Sequence, residues 1–339
     1  MTRHCNTHTA AVVFWLFTSL LFFACSRHDG RFRLEGQFKN LNQGEFFLYN
    51  LDRGTKDTIA VNDGRFVYER LLRDTLTLVM LFPNYSELPV FALPNTSVKM
   101  EGDVTHLRET TITGSDENNL MTTFRTKTAD MVPPDVKKEA QAFIDEHPAS
   151  IVSVYLLRRY FLQDASPDYP LIMKMATALH EAQPQNQPLT RLHLMLGQLV
   201  NNRSEGPLPA FQAISTKGDT ITNSSLKKDA NVIVAWATWS YESQGTLRQL
   251  KNLRKEHSNL AVMSICLDAS PAEGLKLLER DSITWPNICD SMLWQSPLLG
   301  QLGICTLPAN ILTDQKGNIV ARDINDRQLK EEIEKLLAK

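Results

Sequence analysis

Three regimes of hydrophobic and polar patterning divide this chain. From about Arg33 to Thr113, short runs rich in β-branched and aromatic residues recur: "FRLEGQF", "EFFLYNL", "DTIAV", "GRFVYER", "TLTLVMLF", "LPVFAL" and "SVKMEG". Turn-forming clusters such as "NLNQG", "DRGTK", "NDG", "FPN" and "LPNT" separate them, so each run reads as a strand. The clearest element is "AVNDGRFVYE", because Asp-Gly between two alternating runs is a strong hairpin signal. Such spacing predicts an antiparallel β sandwich or partial barrel over residues 33–114. No cluster of His, Asp and Cys occurs there, so the region reads as structural or docking.

Over residues 115–202 the period becomes helical. "PPDVKKEAQAFIDEH", "PASIVSVYLLRRYFLQ", "SPDYPLIMKMATALHEAQ" and "LTRLHLMLGQLVNN" place apolar residues three and four apart, as at Ile151, Val154, Tyr155 and Leu157. This is a helical connector. Met173, Met175 and Met195 read as core filling rather than soft-metal ligands, and His180 and His193 read as isolated. "NNRSEGPLPAFQ" is a Gly/Pro/Ser boundary that opens a last domain, residues 206–339. There "ISTKGDTIT" predicts a hairpin, "NVIVAWATW" and "AVMSICLD" buried strands, and "YESQGTLRQLKNLRKEH" and "SPAEGLKLLERD" helices. "ANILTDQKGNIVARDI" predicts a second hairpin and "NDRQLKEEIEKLLAK" a capped closing helix. This order predicts a mixed sheet with helices on both faces.

The N-terminus changes the setting. After a short basic start, Ala10 to Ala24 is a continuous apolar run of about 15 residues, which suits an export signal better than a membrane span of about 20. "FFACS" resembles a bacterial lipobox, with Phe22 in place of the usual Leu. That resemblance implies a signal peptide over 1–24, cleavage before Cys25, lipidation of Cys25, stable membrane anchoring by several acyl chains and a tether over 25–32. Ser26, where inner-membrane lipoproteins carry aspartate, points to the outer membrane and a periplasm-facing protein.

Composition narrows the function classes. Hydrophobic content of 42% and charge of 22% mark a folded protein. A net charge of −2 with no basic block lacks the footprint of a nucleic-acid binder. With Cys5 removed and Cys25 lipidated, Cys266, Cys289 and Cys305 remain. No two form a CxxC, so neither a disulfide framework nor a zinc site is encoded, and no metal or cofactor is expected.

The chemistry centres on "VIVAWATWSYES", Val232 to Ser243. With "GICTLPANILTDQKGNIV" further on, this segment resembles the thioredoxin-like fold of the cytochrome-maturation and peroxiredoxin-related type. The whole mature chain is similar in architecture to Bacteroidetes envelope lipoproteins that carry an uncharacterised N-terminal β domain. The resemblance implies a cis peptide bond before Pro308 and a redox site at the start of the first helix. Ser240 and Ser243 stand where its cysteines would be. The family's reaction needs an attacking thiolate and a resolving thiol, and serine forms no disulfide, so that reaction is lost at this turn. Ser240 reads instead as a helix N-cap. The resemblance further implies a groove at Trp239, Tyr241, Thr306, Leu307 and Pro308, able to pair with an extended polypeptide or an envelope partner. The expectation is therefore a binding, scaffolding or chaperone-like envelope protein. The alternative is a thiol oxidoreductase or peroxiredoxin-related enzyme using Cys305 or Cys289, including a Cys289–Cys305 bridge.

Overall fold

A computed structural model describes residues 29–50, 55–84, 86–164, 166–201 and 206–338. The expected signal peptide, Cys25 and the first part of the expected tether lie outside the described residues. Among those described, no helix is long and apolar enough to cross a membrane.

The N-terminal sheet has eight strands: β1 (Arg31–Lys39), β2 (Gln43–Asn50), β3 (Thr55–Asn62), β4 (Arg65–Leu71), β5 (Leu76–Leu81), β6 (Glu87–Ala92), β7 (Ser97–Asp103) and β8 (Thr111–Thr113). Strict alternation drives them: in β1, Phe32, Leu34 and Phe38 point into the core while their neighbours face outward. The Asp-Gly hairpin joins β3 to β4, with Asp63 and Gly64 both at positive φ as a two-residue turn of this kind requires. At Gly36 the Phe66 ring lies so close that a Cβ would overlap it, so only glycine lets β4's aromatic side chain cover β1. The strand order is β6-β5-β2-β3-β4-β1-β7-β8. All pairs are antiparallel except β1 with β7, which is parallel, because the chain returns from β6 to the far side of β1. The sheet is nearly closed, with β6 and β8 as its edges.

Helix α1 (Asp116–Thr128) lies across both edges. On β6, the buried Asn118 accepts from the Phe91 amide at 3.0 Å and donates to the Phe91 carbonyl at 2.7 Å. On β8, Thr122 Oγ1 accepts from the Ile112 amide at 3.0 Å and donates to its carbonyl at 2.8 Å. Asn118 and Thr122 are four apart, hence on one helix face. They satisfy backbone groups that a neighbouring strand would otherwise take.

Four further helices follow: α2 (Pro133–Glu146), α3 (Ile151–Leu157), which runs into a π turn at Arg158–Leu162, α4 (Tyr169–Ala182) and α5 (Gln187–Asn201). Their core is continuous with both flanking regions. Phe91 reaches into it from β6 and meets Tyr155 edge-on at 6.1 Å, although its neighbours Val90 and Ala92 belong to the β-domain core.

In the C-terminal domain β10 (Gln212–Ile214) and β11 (Thr220–Thr222) form the first hairpin. The main sheet contains β9 (Gly206–Pro207), β12 (Ala230–Trp236), β13 (Leu260–Cys266), β14 (Asn287–Ile288), β15 (Ala309–Asp314) and β16 (Asn318–Arg322), in the order β14-β13-β12-β15-β16-β9. β12, β13 and β14 are parallel, and β15, β16 and β9 extend the sheet antiparallel. The helices are α6 (Tyr241–Glu256), α7 (Pro271–Arg280), α8 (Pro297–Leu302) and α9 (Asp326–Leu337). Both crossovers advance toward the same edge, so right-handed connections put α6 and α7 on one face, joined there by α9. The other face, carrying Ile233, Ala235, Met263, Ile265 and Ile311, is covered by α8 and by the connector helices. The connector is thus a layer of the C-terminal domain as well as a link to it. A buried ion pair between Arg322 and Asp323 (3.2 Å) fastens this layer, since Asp323 also accepts from the Tyr169 hydroxyl of α4.

Asn118→Ala leaves two buried backbone groups of Phe91 unpaired, at roughly 1–3 kcal/mol each. Urea unfolding should show a loss of roughly 2–4 kcal/mol, whereas Asn119→Ala on the exposed face of the same helix should stay within about 0.5 kcal/mol of the wild type.

Candidate functional site

The turn between β12 and α6 is tied down by its own side chains. Ser240 is the N-cap of α6, in extended conformation, and its Oγ accepts from the Ser243 amide at 3.4 Å. Ser243 is fully buried; its Oγ donates to the Ser240 carbonyl at 2.8 Å and accepts from the Ala237 amide at 3.2 Å. Thr238 gives both its amide and its hydroxyl to Asp268 Oδ1, each at 3.0 Å. Gln244 closes back on the Thr238 carbonyl, and the Trp239 indole donates to the Leu267 carbonyl. Among the described residues neither serine hydroxyl bonds a carboxylate or an imidazole, so neither has the base that a serine nucleophile needs. Both hydroxyls hold the turn's shape.

The Leu307–Pro308 bond is cis and stands opposite this turn. The structure brings Trp239, Ser240, Tyr241, Thr306 and Leu307 together on one cleft of about 760 Å³; Pro308 is not part of its lining. Tyr241 is exposed and Trp239 half-buried. At the cis bond Gln163, just past the π turn, donates its side-chain amide to the Leu307 carbonyl at 3.4 Å, using one of the carbonyl's two lone pairs. What remains open is a three-sided cleft. The connector lends Arg158, Arg159 and Arg191, the β domain lends Arg73, Thr77 and Glu87, and the C-terminal domain adds Trp294. The Arg158 guanidinium lies 5.9 Å from the Trp294 ring centre. Glu87 is exposed at the mouth of the cleft, with its carboxyl crowded by the cleft walls. Burial among the cleft walls, with a smaller push from Glu242, raises its carboxyl above the usual range, against the pull of Arg159.

The three cysteines among the described residues, Cys266, Cys289 and Cys305, are free thiols. Cys305 is buried at the cleft floor, and its thiol is pushed up to about 12, chiefly by burial and then by the charge of Asp323. It is poorly placed to act as a thiolate. The Cys289–Cys305 bridge is not formed, and the sheet lies between the two residues: Cys305 packs on the connector face, Cys289 against the α6–α7–α9 face. The sulfur beside Cys289 is that of Cys266. His180 and His193, on the successive helices α4 and α5, stack with ring centres 4.9 Å apart; burial and then His180 lower the proton affinity of His193. No group of His, Cys, Asp and Glu among the described residues is arranged to hold a metal.

Strand order, the cis peptide at Pro308 and the helix-start turn define the C-terminal domain as thioredoxin-like. Residues 32–121 match a family described as a domain of unknown function, DUF4369. Among solved structures, the chain is similar to a thiol-disulfide oxidoreductase from Bacteroides fragilis, at 29% identity over 39% of this chain and 99% of that one, TM-score 0.36. It is also similar to the thioredoxin domain of a thiol-disulfide oxidoreductase from Bacteroides vulgatus, at 20% identity over 39% and 95%, TM-score 0.35. A thioredoxin-like protein from Parabacteroides distasonis matches at 19% identity over 32% and 81%, TM-score 0.29. No curated protein matches the chain.

The raised Glu87 carboxyl has a consequence for stability against pH. A folded-state value above the unfolded one means that ionising Glu87 costs the folded state, a penalty present above the folded value and absent once both states are protonated. Glu87→Gln should therefore raise the melting temperature near pH 8, with the gain fading as pH falls to about 4. A gain that grows toward low pH would contradict this placement.

Proposed function

We propose that this chain is an exported, lipid-anchored cell-envelope protein whose thioredoxin-like domain binds a polypeptide segment without exchanging disulfides at its helix-start turn. The observation that carries this reading is the state of the two turn positions: Ser240 and Ser243 are hydroxyls committed to local hydrogen bonds. Oxygen there supports neither a mixed disulfide nor its resolution. The lipobox-like "FFACS" supports the anchor at Cys25 and the outer-membrane, periplasm-facing location.

Binding is supported by the cleft's lining. Trp239, Tyr241 and Trp294 offer flat apolar faces, and Arg158 and Arg159 offer planar donors for carboxylates and backbone carbonyls. The segment lies extended beside Leu307, whose carbonyl Gln163 already contacts on one side, and side-chain contacts in the cleft add to backbone pairing there. A photo-reactive side chain at Tyr241, introduced in the native host, should give discrete covalent adducts that disappear with Trp239→Ala and Arg158→Ala. The same group at Val67, exposed on the outside of β4, should give none. Equal adducts from both positions would remove the cleft as the binding site.

A further inference from the structure

The C-terminal ends of β13 and β14 set two cysteines side by side. β13 and β14 are in parallel register at Ile265 and Ile288, so Cys266 and Cys289 are the next residues of each strand on the same side. Neighbouring strands lie about 4.8 Å apart, inside the roughly 4.4–6.8 Å between Cα atoms that a disulfide spans. β14 is only two residues long, and a buried network fixes its register. Asn287 Oδ1 accepts from the Trp236 indole at 3.1 Å and from Ser264 Oγ at 2.7 Å, and Ser264 Oγ accepts from the Trp285 indole at 3.0 Å.

The two thiols are unequal. Cys266 is buried, whereas Cys289 is half-buried. The Cys266 Sγ lies 3.1 Å from Asp268 Oδ2, while Cys289 Sγ lies 3.6 Å from the Asp268 carbonyl. Their interaction raises the Cys266 thiol, with burial adding to it, and lowers the Cys289 thiol. Asp268 is itself buried, and burial raises its carboxyl. Helix α7 makes room for this cluster with Gly274: a Cβ there would stand 2.8 Å from the Cys266 sulfur, although glycine inside a helix costs about 1 kcal/mol relative to alanine.

We propose that Cys266 and Cys289 form a thiol–disulfide exchange site that does not use the two serines, although Asp268 joins it to their turn through Thr238, and that this site is oxidised by low-molecular-weight disulfides. Cys289, as thiolate, attacks one sulfur of the disulfide RSSR. A Cys289–SR mixed disulfide forms, and the expelled RS⁻ takes up the proton that Cys289 lost. Cys266 then passes its proton to Asp268 Oδ2 and attacks the Cys289 sulfur. The Cys266–Cys289 bond forms, the second RS⁻ leaves, and the proton held by Asp268 is returned to it through solvent. Two electrons and two protons move from the dithiol to RSSR, yielding two RSH. The half-buried position of Cys289 is what favours a small disulfide over a protein one.

The test uses the full chain with Cys5→Ser and Cys25→Ser, incubated folded with oxidised glutathione, then denatured, alkylated and mapped by mass. Cys305 should be the one alkylated thiol, with peptides containing Cys266 and Cys289 joined by a disulfide. Cys266→Ala should trap glutathione on Cys289. Asp268→Asn should let the same adduct accumulate, closing roughly a hundredfold more slowly. If Cys266→Ala does not fold, the wild-type map and Asp268→Asn still decide. Three alkylated thiols after incubation, or glutathione on Cys305, would overturn the site. Oxidation by insulin disulfides as fast as by glutathione would overturn the small-disulfide assignment.

Discussion

A sheet that stops just short of closing leaves a row of unpaired backbone groups along each edge, and here helix α1 meets both rows. Asn118 supplies one donor and one acceptor to β6, and Thr122 does the same for β8. Much else follows from this placement. With α1 fixed on β6, Phe91 turns outward into the connector core, and the connector is seated against the β domain. The same connector covers one face of the C-terminal sheet. The cleft exists because these three surfaces are held at one junction, and Glu117, next to Asn118 on α1, is itself part of its wall.

Much of the architecture was legible in the residue pattern. All seven strand runs of the first region form, the Asp-Gly hairpin adopts its positive-φ turn, and the mixed sheet of the last domain appears in the expected order. Helix α1 left little trace, because the residues it buries include Asn118 and Thr128 and no regular apolar stripe runs along it. Burial of polar groups against strand edges imitates a surface pattern. The parallel pairing of β1 with β7 was equally silent, since alternation tells which face a side chain takes and not which strand lies beside it.

The turn was readable because its meaning is local: a missing sulfur is a fact of one residue, and Ser240 caps a helix that begins beside it. The cleft was only half readable. Trp239, Tyr241, Thr306 and Leu307 do assemble, but the partner of the Leu307 carbonyl is Gln163, 144 residues earlier, and nothing near either residue announces that contact. For the thiols, nearness to the cis-proline drew attention to Cys305, while strand register set Cys289 beside Cys266. The two faces of a sheet separate residues that a linear view places side by side.

Because the connector helices supply the lid over Ile233, Ile265 and Ile311, the boundary written into "NNRSEGPLPAFQ" is a border of sequence and not of cohesion. Cutting the chain there would lay bare an oily sheet surface on one fragment and orphan the matching helix faces on the other. Melting should then propagate across the join, with the last two regions rising and falling as a single cooperative body. Any rearrangement of α4 or α5 would be felt at Leu307 and Cys305, which pack in the same core.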